Sequence, residues 1–194
     1  CLGRDFRVRR NLDHSFQYLG KRLRLPSLSL NLMGAHQLIN AAVALGVLET
    51  LEKEGLLWLN PDKVQQALLA VRWPGRLEVL EENPMILLDG AHNPQGAEAL
   101  RAALKSSFSY RKLHLVMGIM GDKDIKGILR RLLPIAETAI FTQLRYSRAA
   151  KAEDLRKILD QHVQTGADLT ISTTPVTRAR MAASFSASSV AVAS

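Results

Sequence analysis

The apolar positions change their period twice in the first third of the chain. Leu23, Leu25, Leu28 and Leu30 follow a strand-like beat that Leu32 continues, and residues 2–9 and 15–25 read as short strands and turns. After Gly34 the spacing becomes three and four. Leu38, Ile39, Ala42, Val43, Leu45 and Leu48 predict an amphipathic helix from residue 35 to about 53, with Gly55 as its stop. Asn60-Pro61 opens a second helix, asparagine as the cap and proline at the first helical position, with Val64, Ala67, Leu68 and Val71 inside. Trp73-Pro74-Gly75 breaks the pattern, and a hinge or domain boundary is expected there.

Beyond the break, strand and helix patterns alternate. Leu77, Val79 and Leu80 predict one strand, and Met85 to Leu88 a second, buried on both faces. Asn93-Pro94 starts a helix faced by Ala97, Leu100, Leu104 and Phe108. Strands over 113–117, 139–141 and 168–171 enclose two further helices, faced by Ile125, Ile128, Leu129, Leu132 and Leu133 and by Leu155, Ile158, Leu159 and Val163. This rhythm predicts an α/β fold with a mainly parallel sheet and helices on both faces. Ligands on such sheets collect at the carboxyl ends of the strands. Residues 179–194 are small and polar and show no period, so an irregular tail is expected.

Composition narrows the classes. With 47% hydrophobic and 23% charged residues the chain is globular rather than disordered. No run reaches the ~18 apolar residues of a bilayer span, so no membrane partner is expected. The single cysteine, Cys1, excludes an internal disulfide and a thiolate metal cage, and points to a cytoplasmic compartment. The chain starts at Cys1 without a signal-peptide core and reads as part of something longer. Of the net charge of +8, residues 1–25 supply +5, seven basic groups against Asp5 and Asp13. Arg7 and Arg9 alternate with Phe6 and Val8 and lack a stacking platform, so a solvated face is expected and no nucleic acid.

The chain has no phosphate-binding G-x-x-x-x-G-K-[ST] loop, no G-x-G-x-x-G, no H-E-x-x-H and no G-x-S-x-G. The densest cluster is Asp89-Gly90-Ala91-His92-Asn93-Pro94, where a buried strand turns into a capped helix. Asp89 falls at the strand's carboxyl edge, where a carboxylate can take both hydroxyls of a ribose; His92 lies beside the helix N-terminus, which attracts anions. Arg76, in Trp73-Pro74-Gly75-Arg76, sits at the expected hinge with a planar fork suited to phosphate. His36, Gln37 and Asn40 open the long helix, and the Asn40 amide matches the donor and acceptor of an adenine edge. Two weaker features share the sheet rim: Gly118 to Asp124, where Asp122 or Asp124 reads as a helix cap, and Tyr146-Ser147-Arg148, whose arginine can bind a carboxylate.

In this order, Gly34-x-His36-Gln37-x-x-Asn40-Ala41-Ala42, Trp73-Pro74-Gly75-Arg76-Leu77-Glu78, Asp89-Gly90-Ala91-His92-Asn93-Pro94 and Asp122-Lys123-Asp124 resemble folylpolyglutamate synthases and bifunctional dihydrofolate synthase/folylpolyglutamate synthases of the Mur ligase superfamily. The resemblance covers roughly residues 1–178. It implies that residues 1–72 close a central ATPase domain, that 73–178 form a Rossmann-like C-terminal domain, and that 179–194 are an atypical tail in place of the family's Gly-Ser motif. It also implies an ATP-dependent ligase that adds L-glutamate to a reduced folate or dihydropteroate through an acyl phosphate, monomeric at full length. Asn40 then contacts adenine, Arg76 the phosphates and Asp89 the ribose, with His92 near the glutamate and the reacting carboxylate. The phosphate loop and the Mg2+ ligands are expected before residue 1, so the chain alone is expected to be inactive. The alternative is a non-catalytic domain that binds a nucleotide or a protein partner; a polyanion-binding role for the basic first segment would show as salt-sensitive binding.

Overall fold

The computed structural model describes residues 1–13, 15–142, 144, 146–162, 166, 168–172 and 189–193. The chain divides into two units, Cys1–Trp73 and Pro74–Ser194. In the first, β1 (Arg7–Arg10), β2 (Phe16–Leu19) and β3 (Arg24–Leu28) form an antiparallel meander, followed by α1 (Ala35–Lys53) and α2 (Pro61–Ala70). Asn60 caps α2 by accepting from the Lys63 N–H, as its Asn-Pro pair predicts. Phe16, Tyr18, Leu25, Leu28, Ala41, Ala42, Leu45 and Val64 make the core.

The buried face of α1 differs from the expected stripe. Gln37, Ala41, Ala42, Leu45, Gly46 and Glu49 are buried, while Ile39 and Val43 are 47% and 46% exposed. The helix is apolar almost all round, so periodicity alone could not select its inner side. Glu49 is the deciding residue. Its carboxylate accepts from the Tyr18 hydroxyl and from the backbone N–H groups of Arg22 and Leu23, which ties α1 to the β2–β3 turn. Burial pushes its pKa up, but these three donors outweigh burial and hold it below the ordinary value; Tyr18, buried against Glu49, is pushed up.

The second unit holds β4 (Glu78–Glu82), β5 (Met85–Leu88), α3 (Pro94–Ser107), β6 (Lys112–Met117), α4 (Ile125–Leu132), a short 3-10 turn (Leu133–Ile135), β7 (Thr138–Thr142), α5 (Ala152–His162), β8 (Asp168–Ser172) and β9 (Ser189–Ala193). The sheet order is β4-β5-β9-β6-β7-β8, with only β4 antiparallel. Leu87, Leu113, Leu115, Met117, Ala139 and Phe141 pack against α3, α4 and α5 in one core, while Ile86 and Val116, on the opposite face, are buried as well.

Two expectations need correction, and a third lies partly outside the described residues. Helices were expected on both faces; the crossovers through α3, α4 and α5 all step the same way across the sheet, and right-handed connections place these three in one layer, with α3 packed on α4 and α4 on α5. The connection from β8 back to β9, on which the expectation for the other face rests, runs through residues 173–188, outside the described residues. Residues 179–194 were expected to be an irregular tail, yet Ser189–Ala193 pair in parallel with both β5 and β6 in mid-sheet. The signal was the alternation of Val190 and Val192 with alanine, too short to stand out in a serine- and alanine-rich stretch. Finally, Leu77 is not in a strand: β4 begins at Glu78, and Leu77 belongs to the turn before it. The predicted residues Leu159, Val163, Leu169 and Ile171 have side chains outside the described set.

Candidate functional site

The turn before β4 and the loop after β5 are built as one object. Gly75 has φ 71°, a left-handed conformation in which glycine has no Cβ to clash, and its N–H donates to the Glu78 carboxylate. The Gly90 N–H donates 2.8 Å to the Gly75 carbonyl across the two segments. Leu77 is also left-handed, at φ 49°, which costs a leucine of order 1–3 kcal/mol unless its surroundings hold it there. They do. Its side chain is 2% exposed in the core and its N–H donates 3.0 Å to Asp89 Oδ2. The other oxygen, Oδ1, accepts 2.9 Å from the Ala91 N–H.

Asp89 is thus buried beneath the turn rather than projecting into solvent, and its first task is structural. Its two backbone bonds hold the Trp73-Pro74-Gly75-Arg76 and Asp89-Gly90-Ala91-His92 segments in register. Arg76 is half-buried, and its guanidinium lies beside Gly90: a Cβ there would be 3.9 Å from Nη1. His92 is exposed, with Nδ1 2.9 Å from the Gly90 carbonyl. A carbonyl only accepts, so Nδ1 carries the proton in this contact. Asn93 then caps α3, accepting 2.7 Å from the Gly96 N–H. Arg76, Asp89 and His92 therefore meet on one stitched rim, at the carboxyl end of β5.

Asn40 belongs to the other unit. Its side-chain Nδ2 donates 2.9 Å to Gln37 Oε1, and both residues line a cavity of about 410 Å³ between α1 and α2. Asn60 and Lys63 also line it, the rest of the walls is apolar, with Leu45, Leu48, Val64 and Leu68 among them, and both tryptophans of the chain, Trp58 and Trp73, border it. Such a cavity suits a flat, weakly polar ring with one edge to be read by an amide. His36, expected beside Asn40, does not line it. The two tryptophans at the cavity are what sequence reading missed: Trp73 was seen only as part of a turn, and Trp58 was passed over.

Among the described residues no helix is long and apolar enough to cross a membrane, and no group of three or more His, Cys, Asp or Glu side chains could hold a metal ion.

A family model, "Mur ligase, glutamate ligase domain", matches residues 75–190, and the chain belongs to that family. Within it, the chain is similar to the dihydrofolate synthase/folylpolyglutamate synthase of Bacillus subtilis, 35% identical over 125 residues, which are 64% of this chain and 29% of the relative. The folylpolyglutamate synthase of Mycobacterium tuberculosis complexed with ADP superposes with a TM-score of 0.87 at 28% identity, over 99% of this chain and 45% of that one. A bifunctional folylpolyglutamate synthase/dihydrofolate synthase with Mn, AMPPNP and L-glutamate bound gives a TM-score of 0.80 at 27% identity, over 98% of this chain and 43% of that one. The chain thus spans less than half the length of these relatives.

Proposed function

We propose that this chain is the C-terminal part of a cytoplasmic, ATP-dependent ligase that joins L-glutamate to a reduced folate or to dihydropteroate. The observation that carries the reading is the stitched rim of Arg76, Asp89 and His92 on a parallel sheet whose relatives include ADP- and glutamate-bound folate ligases. In the reaction, the γ-phosphoryl group of ATP passes to the folate carboxylate; the glutamate amine then attacks the acyl carbon, phosphate leaves, and an amide forms. Such transfer asks for positioning and charge neutralisation rather than a protein nucleophile. Arg76 is assigned to the phosphates, Asp89 to the ribose, and His92 to the side of the glutamate and the reacting carboxylate. Asn40 is assigned to adenine, in the cavity with the two tryptophans. Mg2+ accompanies ATP in this reading, but the described residues do not fit a metal centre, and no step is assigned to it. A monomer without nucleic acid completes the proposal.

Because both tryptophans border the cavity, intrinsic fluorescence reports on its occupancy directly. Titration with adenosine and with ADP is expected to change the emission. Asn40→Ala is expected to weaken both ligands about tenfold, the worth of one or two good hydrogen bonds. Arg76→Ala is expected to weaken ADP and leave adenosine alone. An emission that ignores both ligands would defeat the nucleotide assignment.

A further inference from the structure

The sheet of the first unit ends on an open strand. Its order is β1-β2-β3, so β1 has a strand partner on one side only. The Asn11 N–H donates 2.8 Å to the Ser15 carbonyl where that pairing closes, and the register runs back from there in steps of two through Arg9↔Gln17 and Arg7↔Leu19. Hydrogen-bonded and non-bonded pairs alternate along an antiparallel ladder. Arg7 and Arg9 therefore turn their backbone groups to β2, and Val8 and Arg10 turn theirs to the open edge. Among the described residues, none pairs with the backbone of Val8 or Arg10 on that side.

The side chains add a charge pattern to the edge. Phe16, Tyr18 and Leu25 fill the inner face of the sheet, so Arg7 and Arg9 stand on the outer one, beside Gln17 and Leu19 of β2 and Arg24 of β3. Arg7 Nε donates 3.2 Å to the Gly3 carbonyl, which steadies the guanidinium and leaves its remaining N–H groups unspent. Among the described residues Arg7, Arg9 and Arg24 form no ion pair, because the two acids of this segment are committed elsewhere. Asp5 holds the amino terminus at 2.9 Å, Lys21 at 2.7 Å and Arg4 at 3.1 Å. Asp13 accepts from the N–H and the hydroxyl of Ser15.

An open edge invites any strand, and charge on it narrows the choice. A second copy of β1 would set arginine against arginine, which disfavours self-pairing. About 7 Å separates alternate side chains on any strand, so acids at alternate positions of an added strand meet both arginines in a single register. We propose that β1 takes an extended acidic peptide as a fourth, antiparallel strand. Its backbone bonds to Val8 and Arg10, and its carboxylates lie against Arg7 and Arg9. A nucleic acid fits this edge poorly: the outer face offers no aromatic ring for bases to stack on, and a phosphate backbone has no N–H for the edge carbonyls. The inference stands apart from the ligase reading and uses none of its residues.

The test is titration of the 194-residue chain with a peptide of alternating glutamate and valine, followed by amide resonances in NMR. Resonances of residues 7–10 are expected to shift, and hydrogen exchange is expected to slow at Val8 and Arg10, whose N–H groups gain acceptors. Replacing both arginines, Arg7→Ala with Arg9→Ala, should weaken binding about tenfold through the loss of two cross-strand charge pairs, and lysine at both positions should recover part of it. In the antiparallel register the valine nitrogens of the peptide face β1. Methylating them keeps every charge but removes the donors, and that peptide is expected not to bind. Equal binding by the methylated peptide, by a peptide with glutamine in place of glutamate, or by the doubly substituted chain would each overturn the proposal. So would the absence of any shift, or tighter binding of single-stranded DNA than of the peptide.

Discussion

At the scale of single residues, Asp89 does two things at once. Both its oxygens are spent on backbone N–H groups, one of them on a leucine held left-handed. Asp89→Asn keeps the shape but turns one acceptor into a donor facing another donor. We expect a loss of about 1–3 kcal/mol in unfolding free energy, measurable by urea denaturation, beside any effect on nucleotide binding. An unchanged midpoint would mean that the turn is held by other means. His114 gives a pH signature. It is buried in β6, with Nδ1 2.7 Å from Thr138 Oγ1, and burial, helped by Lys112, holds its pKa below the ordinary 6.5. The folded state therefore favours the neutral ring. Its stabilising effect is full above the unfolded pKa and is lost as pH falls from there towards the folded value. His114→Gln should flatten that acid limb in thermal melts between pH 7 and pH 5; the same slope in both proteins would exclude this histidine.

At the scale of elements, local chemistry was legible where a single residue makes the decision. Asn60, Asn93 and Asp124 cap α2, α3 and α4 with their own side chains, and each Asn-Pro pair marks its helix start from sequence alone. Asn93→Ala should cost about 1 kcal/mol and loosen the loop that carries His92; calorimetry reads the first and amide exchange at residues 90–96 the second. What could not be read was the orientation of α1. Its inner side is chosen by Glu49 and the β2–β3 turn, a tertiary contact between segments far apart in sequence. The stitching of the two motifs was hidden for the same reason. Arg76, Asp89 and His92 were visible as unusual residues, but that Leu77 and Asp89 share a hydrogen bond follows only from the antiparallel pairing of β4 with β5.

At the scale of the whole molecule, the α/β class and the rim were legible because buried parallel strands read as apolar runs and functional residues fall at their ends. The strand order was not. β9 pairs with β5 on one side and β6 on the other, so removing it leaves two strands with open edges instead of shortening a tail. Truncation after residue 188 is expected to abolish the cooperative unfolding of the second unit and expose apolar surface to a hydrophobic dye. A truncated chain that melted like the whole would show that β5 and β6 can close without it. The first unit has a core of its own and should keep its Phe16 and Tyr18 resonances in the truncated chain.

The central position of β9 also sets a timetable for synthesis. Translation delivers β5, β6, β7 and β8 before the strand that belongs between the first two. Until it emerges, β5 and β6 each present an unsatisfied ladder to the crowded surroundings of the ribosome. The β5–β6 gap must therefore wait for β9, and during that interval the nascent chain is exposed to mispairing.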